Sequence, residues 1–209
     1  NSFELSDNGT QMIAKAKAGV ILGSLSRKVS KEGYAGLQIL AGIPGTIGGA
    51  VYMNAGAYDG EVSEVIESVT VLTRDGEVKT FDNQELEFSY RHSRIQEIQD
   101  IVLEVVFQLK KGHSVDIKER MDELTLLRES KQPLEYPSCG SVFKRPAGYF
   151  TGKLIQEAGL QGKIWGGAQI SMKHAGFIVN INQATATDYI ELIHHIQEVI
   201  FEKNGVKLV

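Results

Sequence analysis

A chain of 209 residues with 42% hydrophobic and 23% charged side chains has an ordinary soluble composition, long enough for one large domain or two small ones. Its net charge of −4 argues against general nucleic-acid binding, and its apolar runs are far too short to span a membrane. The single cysteine excludes an internal disulfide framework and fits a reducing cytoplasm.

The chain opens, without a cap or a cationic–apolar leader, on a strand predicted over Met12–Ala16. "GVILGSLSRKVSKEG" has helical spacing through Val20, Leu22, Leu25 and Val29 and stops at Gly33, a C-cap glycine. After the glycine-rich run 42–60, "VIESVTVLTRDGEVKTF" predicts a hairpin about a two-residue Asp75-Gly76 turn. "DIVLEVVFQLK" predicts a buried strand, and "SVDIKERMDELTLLRES" an amphipathic helix with Ile117, Met121, Leu124 and Leu127 on one face. A linker with Pro133 and Pro137 leads to a strand at "GSVFK" and a short helix "TGKLIQEAGL" ending at Gly159. A strand "AGFIVNI" then precedes a helix from about Thr187 to Lys203, apolar at Ile190, Ile193, Ile196, Val199 and Ile200 and capped by Thr185 or Thr187. This irregular alternation with an antiparallel hairpin predicts an α+β fold, and the polar break Lys110–Ser114 is the best internal boundary.

"GIPGTIGGAVYMNAGAYDG" (42–60) concentrates glycine where ordering it costs backbone entropy. It reads as a turn entering a helix, whose free backbone N–H groups would cradle a phosphate. The alternative is close helix–sheet packing that merely needs small residues. The spacing fits neither a Rossmann fingerprint nor a Walker loop. Asn54 offers a hydrogen bond to a ligand heterocycle, or a turn cap. Between residues 128 and 163, Arg128, Lys131, Lys144, Arg145, Lys153 and Lys163 outnumber Glu129, Glu135 and Glu157. That balance suits a small anionic ligand or a solvated basic face. Cys139 has no signature pairing it with a histidine, and adjacent His194 and His195 face different ways on a helix. No metal is expected.

The run "AGIPGTIGGAVYMNAGAYDG" resembles the flavin-binding segment of the UDP-N-acetylenolpyruvoylglucosamine reductases, and three further stretches match that family in order. "SYRHSRIQ" (89–96) resembles its Y-R-x-S motif, and "RESKQPLEYPSCGSVFKRP" (128–146) its serine motif. "GKLIQEAGLQG" with "HAGFIVN" resembles its substrate domain. The absence of a long tyrosine-bearing insertion between Lys110 and Arg128 is similar to the family's shorter, second type.

The resemblance implies an FAD-binding domain of the vanillyl-alcohol-oxidase-like type over 1–112, a smaller α+β substrate-binding domain over 113–203, and the start of a return strand over 204–209. It implies FAD and NADPH as cofactors, a UDP-sugar substrate whose enolpyruvyl group is reduced, no nucleic-acid or membrane partner, a monomer and a cytoplasmic location. It makes Ser141 the proton donor and Arg91 a second catalytic group. It assigns flavin contacts to Ile43, Pro44, Gly45, Thr46, Gly48, Gly49, Ala50, Asn54, Ala55, Gly56 and Ala57. Substrate contacts fall to Tyr90, Lys131, Lys144 and Arg145, the last standing where many relatives carry Asn. Valine at Gly48 or Gly49 is expected to expel flavin before it disturbs the fold.

Two family features do not occur here: an N-terminal lobe with an L-G-x-G-S-N loop for the FAD diphosphate, and a closing "PEVR" strand whose Glu is the second catalytic acid. Glu191, Glu198 and Glu202 all lie on the preceding helix. The expectation is a fragment that binds FAD weakly and does not turn over. The competing expectations are another FAD oxidoreductase of the same fold and a noncatalytic sugar-nucleotide-binding module.

Overall fold

Alternating apolar residues along "IVLEVVFQLKK" bury Val105, Phe107 and Leu109 and turn Gln108 and Lys110 to solvent, the period of a strand with one wet face. A computed structural model describes residues 2–58 and 60–209 and divides the chain into two compact units, the first ending at Leu126 and the second spanning Leu127–Val209.

The first unit runs β1 (Phe3–Asp7), β2 (Gln11–Lys17), α1 (Leu22–Lys31), β3 (Tyr34–Ala35), α2 (Ile47–Tyr52), β4 (Gly56–Ala57), β5 (Gly60–Glu61), β6 (Ile66–Leu72), β7 (Val78–Asp82), α3 (Arg94–Ile98), β8 (Ile101–Lys111) and α4 (Ser114–Lys131). Its sheet is antiparallel in the order β1-β2-β8-β6-β7, with β3 also on β8. Small residues of β2 face large ones of β8, Ala14 opposite Phe107 and Ala16 opposite Val105. The buried faces of α1 (Leu22, Leu25, Val29) and α2 (Ile47, Ala50, Val51) join the same core. Each fully buried Leu or Phe there contributes about 1.5–3 kcal/mol.

In the second unit, β9 (Ser138–Ser141), β10 (Ile164–Trp165), β11 (Ala168–Ile170) and β12 (Phe177–Asn180) form a sheet in the order β10-β11-β12-β9. Helices α5 (Thr151–Glu157) and α6 (Ala186–Asn204) share its core through Leu154, Ile155, Leu192, Ile196 and Ile200.

Several expectations are corrected. The β6–β7 hairpin closes with Thr73 N–H on the Glu77 carbonyl (2.8 Å), so the turn is Arg74-Asp75-Gly76, with Gly76 left-handed at φ +83°. The strand expected at "GSVFK" is instead Ser138–Ser141, because Val142 and Phe143 turn into the core behind it. Helix α6 buries Leu192, Ile196 and Ile200, leaving Ile190 half exposed (51%). Its cap is Thr185, whose hydroxyl accepts from Asp188 N–H at 3.1 Å. The two compact units meet within α4, between Leu126 and Leu127. The part of that helix up to Leu126 is bound within the first unit, Ile117 being buried and the Leu124 carbonyl accepting from the Tyr58 hydroxyl (2.9 Å).

Candidate functional site

The glycine-rich run does enter a helix, but most donors at that helix start are already committed. Ile47 N–H donates to Val20 O and Gly48 N–H to Ala18 O, both at 2.8 Å, while Gly49 N–H reaches the Thr46 hydroxyl at 3.4 Å. The reading of a bare helix N-terminus is therefore corrected: its donors tie α2 to the turn 18–20. Among the described residues, the amides of Gly45 and Thr46 have no protein acceptor.

The glycines divide by what stands beside them. A Cβ on Gly48 would lie 2.9 Å from Ala18 Cβ and 3.3 Å from its carbonyl, so packing excludes a side chain there. One on Gly56 would meet Glu61 Cγ and Gly60 O at 2.8 Å. By contrast Gly45, left-handed at φ +135°, has open space beside it, and Gly49 has only the Thr46 hydroxyl at 3.7 Å. Pro44, Gly45 and Gly49 are exposed, Ile43 and Thr46 half-buried, and Ala50 and Ala55 buried. The surface open to a ligand is thus the strip Pro44–Thr46 with Gly49. The expectation for valine divides accordingly: at Gly48 the change strikes Ala18, and only at Gly49 does it meet space.

Asn54 is fully buried with φ +41°, and its side chain is spent within the protein. Its amide donates to Glu61 Oε2 (2.7 Å) and Ser89 O (2.9 Å), and its Oδ1 accepts from Ser63 N–H (3.2 Å). No donor remains for a heterocycle, which removes that option and leaves the structural one.

Arg91 sits in the tight turn between Ser89 and His92, which exchange N–H···O bonds of 3.2 and 3.0 Å. Its backbone is left-handed (φ +55°). Its Nη1 donates to Asn54 O (3.2 Å) and faces Glu61 Oε1 at 3.6 Å, and its Nη2 donates to Gly56 O (2.6 Å). The exposed Tyr90 ring lies 5.0 Å from the guanidinium carbon, within cation–π range. Buried Ser93 and Gln96 both donate to Tyr52 O at the end of α2, at 2.8 and 2.6 Å, so the arginine turn is clamped to the glycine-rich segment. Sequence reasoning missed Glu61, Ser93 and Gln96. The motif Y-R-x-S carries the signal for Ser93, and nothing local marks Glu61.

In the second unit Ser141 ends β9 opposite Phe177, and the register slips by one residue between that pair and Ser138–Val179. Gly140 occupies the slip with φ +84°. A bulge of this kind re-aims the next side chain. Ser141 is exposed and, among the described residues, its hydroxyl has no protein hydrogen bond. Val142 N–H anchors the strand end on Gly176 O (3.0 Å). His174 holds that turn, its Nδ1 accepting from Gly176 N–H at 3.1 Å, and its ring meets Phe177 edge-on at 4.9 Å. Burial holds its pKa below the usual histidine value, so it accepts as neutral imidazole at pH 7. Lys131 and Lys144 are exposed, and Arg145 lies 4.2 Å above the Phe150 ring. Cys139 is exposed beside Tyr189, whose hydroxyl is pushed up to about 12 by burial first and by the thiol second. The Trp165 and His195 rings lie 5.2 Å apart, tilted by 36°. Among the described residues no cluster of His, Cys, Asp and Glu could hold a metal ion, and no helix is long and apolar enough to cross a membrane.

The cap of α6 gives the second unit a pH dependence. The Asp188 carboxylate accepts from Thr185 N–H (2.9 Å) and Gly167 N–H (3.3 Å), and these bonds hold its pKa below the usual aspartate value. A lowered folded pKa stabilises above the unfolded value and ceases to as pH falls through the folded one. The melting temperature of the second unit should therefore be insensitive to Asp188 between pH 7 and 5 and fall below about pH 4. Asp188→Asn should flatten that acid limb; an unchanged limb would remove this carboxylate from the cap.

The fold defines a two-unit α+β protein, and the comparisons bear on each unit in turn. Residues 3–82 match the family model "FAD binding domain", and residues 132–209 match "UDP-N-acetylenolpyruvoylglucosamine reductase, C-terminal domain". The UDP-N-acetylenolpyruvoylglucosamine reductase of Enterococcus faecalis is 60% identical over 205 residues, covering 98% of this chain and 68% of that protein. The enzyme of the same name from Pediococcus pentosaceus is 60% identical over 201 residues, covering 96% and 66%. The crystal structure of UDP-N-acetylenolpyruvylglucosamine reductase (MurB) from Thermus caldophilus superposes with a TM-score of 0.82 at 38% identity, covering 93% of this chain and 70% of that one. The chain belongs to the UDP-N-acetylenolpyruvoylglucosamine reductase family. It spans about two thirds of the length of the curated relatives it matches.

Proposed function

We propose that the protein carrying this sequence reduces the enolpyruvyl group of UDP-N-acetylenolpyruvoylglucosamine to UDP-N-acetylmuramate with NADPH, through FAD, in peptidoglycan precursor synthesis. The observation that carries this reading is the pairing, on one chain, of an FAD binding domain with the reductase's C-terminal domain. We place it in the cytoplasm as a monomer, without nucleic-acid or membrane partners.

The residues present fit the flavin at the strip Pro44–Thr46 with Gly49, where amides and space are open. Bound there, FAD would supply the hydride, drawn from NADPH, that adds to C3 of the enolpyruvyl group. That addition leaves negative charge at C2, delocalised into the substrate carboxylate. Arg91, a planar and always charged fork held from one side, binds that carboxylate and stabilises the charge. Ser141 gives its hydroxyl proton to C2 and takes one back from solvent. A serine is a weak acid, and it serves here because the carbanion is very basic. Lys131, Lys144 and Arg145 neutralise the diphosphate, and Tyr90 borders the arginine.

The reading is tested by following NADPH oxidation by a chain of the relatives' full length, with and without enolpyruvyl-UDP-GlcNAc. Substrate-dependent oxidation supports it; oxidation indifferent to the sugar nucleotide overturns it. Gly49→Val should lower flavin content with the melting temperature nearly unchanged. Gly48→Val should instead lose about 1–3 kcal/mol of stability against Ala18. Normal flavin in the Gly49 variant would move the cofactor off this strip.

A further inference from the structure

The structure assigns Glu61 the role of positioning residue for Arg91, holding one edge of the guanidinium so that the other edge faces a carboxylate. The assignment rests on the reading of Arg91 as the group that binds the substrate carboxylate. Glu61 ends β5 at the point where the backbone enters a short 3-10 turn, Val62–Val65. Its own backbone N–H donates to Glu64 Oε1 (2.9 Å), and its side chain accepts from the Glu64 backbone, a reciprocal cap that fixes its rotamer. Its Oε2 takes the Asn54 amide at 2.7 Å, and its Oε1 faces Arg91 Nη1 at 3.6 Å.

The donors of Arg91 can be followed one at a time. Nη1 is directed at Asn54 O and Glu61, and one Nη2 hydrogen at Gly56 O. Among the described residues, Nε–H and the second Nη2 hydrogen have no acceptor. Nε–H and Nη2 lie on one edge of the planar group, the edge on which a fork takes both oxygens of a carboxylate. Two carbonyls alone supply no net charge, and a guanidinium held only by them can rotate about its long side chain. Glu61 supplies the one carboxylate in this set, and it is itself immobilised from two directions. Asn54 completes the arrangement, because the amide that fixes Glu61 also donates to Ser89 O at the start of the arginine's own turn (2.9 Å).

The test uses Glu61→Gln, which keeps length and shape and removes the charge. In this chain, slow rotation about the Arg91 Cζ–Nη bonds should be visible by NMR, the signals being identified by their loss in Arg91→Lys. Glu61→Gln should speed that rotation about tenfold, since it removes the ion pair that faces Nη1 at 3.6 Å and leaves only the neutral carbonyls. In a chain of the relatives' full length, Glu61→Gln should leave flavin reduction by NADPH near the parental rate. It should slow oxidation of the reduced flavin by enolpyruvyl-UDP-GlcNAc about 10- to 100-fold, the scale of a misplaced reacting group. In an Arg91→Ala background the same change should cost less than about twofold, because the two residues act as one unit. Glu64→Gln removes a neighbouring charge but keeps an acceptor for the Glu61 N–H, so it should leave both the Arg91 signals and the substrate step unaltered. Unchanged rotation in Glu61→Gln, full additivity with Arg91→Ala, or an equal loss in Glu64→Gln would each overturn the assignment. Faster rotation with an unaltered substrate step would overturn the reading of Arg91 in the reaction, and the orientation by Glu61 would stand.

Discussion

Ser141→Ala, in a chain of the relatives' full length, is expected to leave reduction of the flavin by NADPH at nearly the parental rate. The same change should slow reduction of the enolpyruvyl group by about 10²–10⁴-fold or more. The first half-reaction needs no proton at substrate C2, whereas the second ends on one. The bulge at Gly140 presents an exposed hydroxyl at Ser141, and removal of its oxygen leaves the strand pairing with Phe177 intact. Substrate binding should persist, because Lys131 and Arg91 remain. Cys139→Ala is the control: the thiol neighbours Tyr189 and has no chemical role in this scheme, so both steps should stay near parental. Rapid-mixing absorbance of the two half-reactions decides the matter. Slowed flavin reduction, or an unaltered substrate step, would take Ser141 out of the mechanism.

Gly167→Ala should be the most damaging single-methyl change in the second unit. Gly167 is buried in the turn between β10 and β11, where its carbonyl accepts from Ile181 N–H (3.0 Å) and Asn182 N–H (3.2 Å). A Cβ there would fall on Asn182 O, 2.5 Å from Ala184 N and 2.6 Å from Ala184 Cα. All three are backbone atoms, and they lead directly into the Thr185 cap of α6. Side chains can swing aside, but this segment cannot without undoing the cap and both bonds to Gly167 O. Overpacking ordinarily costs about 1–3 kcal/mol, and a clash with backbone on three atoms belongs at or beyond about 3 kcal/mol. Trp165, the chain's single tryptophan, sits two residues away, so its fluorescence reports the melting of this unit. A melting temperature within about a degree of the parent would show that the turn has room.

Much of this was legible in the sequence where one period or one residue type decides the outcome. The alternation of β8, the spacing of α1 with its stop at Gly33, and the Thr185 cap need only local chemistry. What escaped depends on distant partners. Strands β10 and β11 are two and three residues long, too short for any alternation to register. The face of α6 is set by the sheet beneath it, which favoured Leu192 over Ile190. The site shows the same division. Ser141 and Arg91 follow from motifs, whereas the commitment of the Ile47 and Gly48 amides follows from carbonyls at Val20 and Ala18 that no spacing rule connects to them. Glu61 escaped because its importance lies in meeting Asn54 and Arg91, seven and thirty residues away.

Three non-glycine residues with positive φ, Asn54, Tyr58 and Arg91 (41°, 57° and 55°), gather in one small region of the first unit. Each holds a conformation that costs an L-residue about a kcal/mol or more, and glycine would relieve all three. Glycine would also delete the Asn54 amide, the Tyr58 bond to helix α4 and the Arg91 guanidinium. Random search for more heat-resistant variants therefore meets opposing effects here, relief of the backbone set against loss of these buried bonds and of the fork. Thermal tolerance in this protein should accumulate away from residues 54–61 and 89–93, which would change slowly in any lineage selected for activity and warmth together.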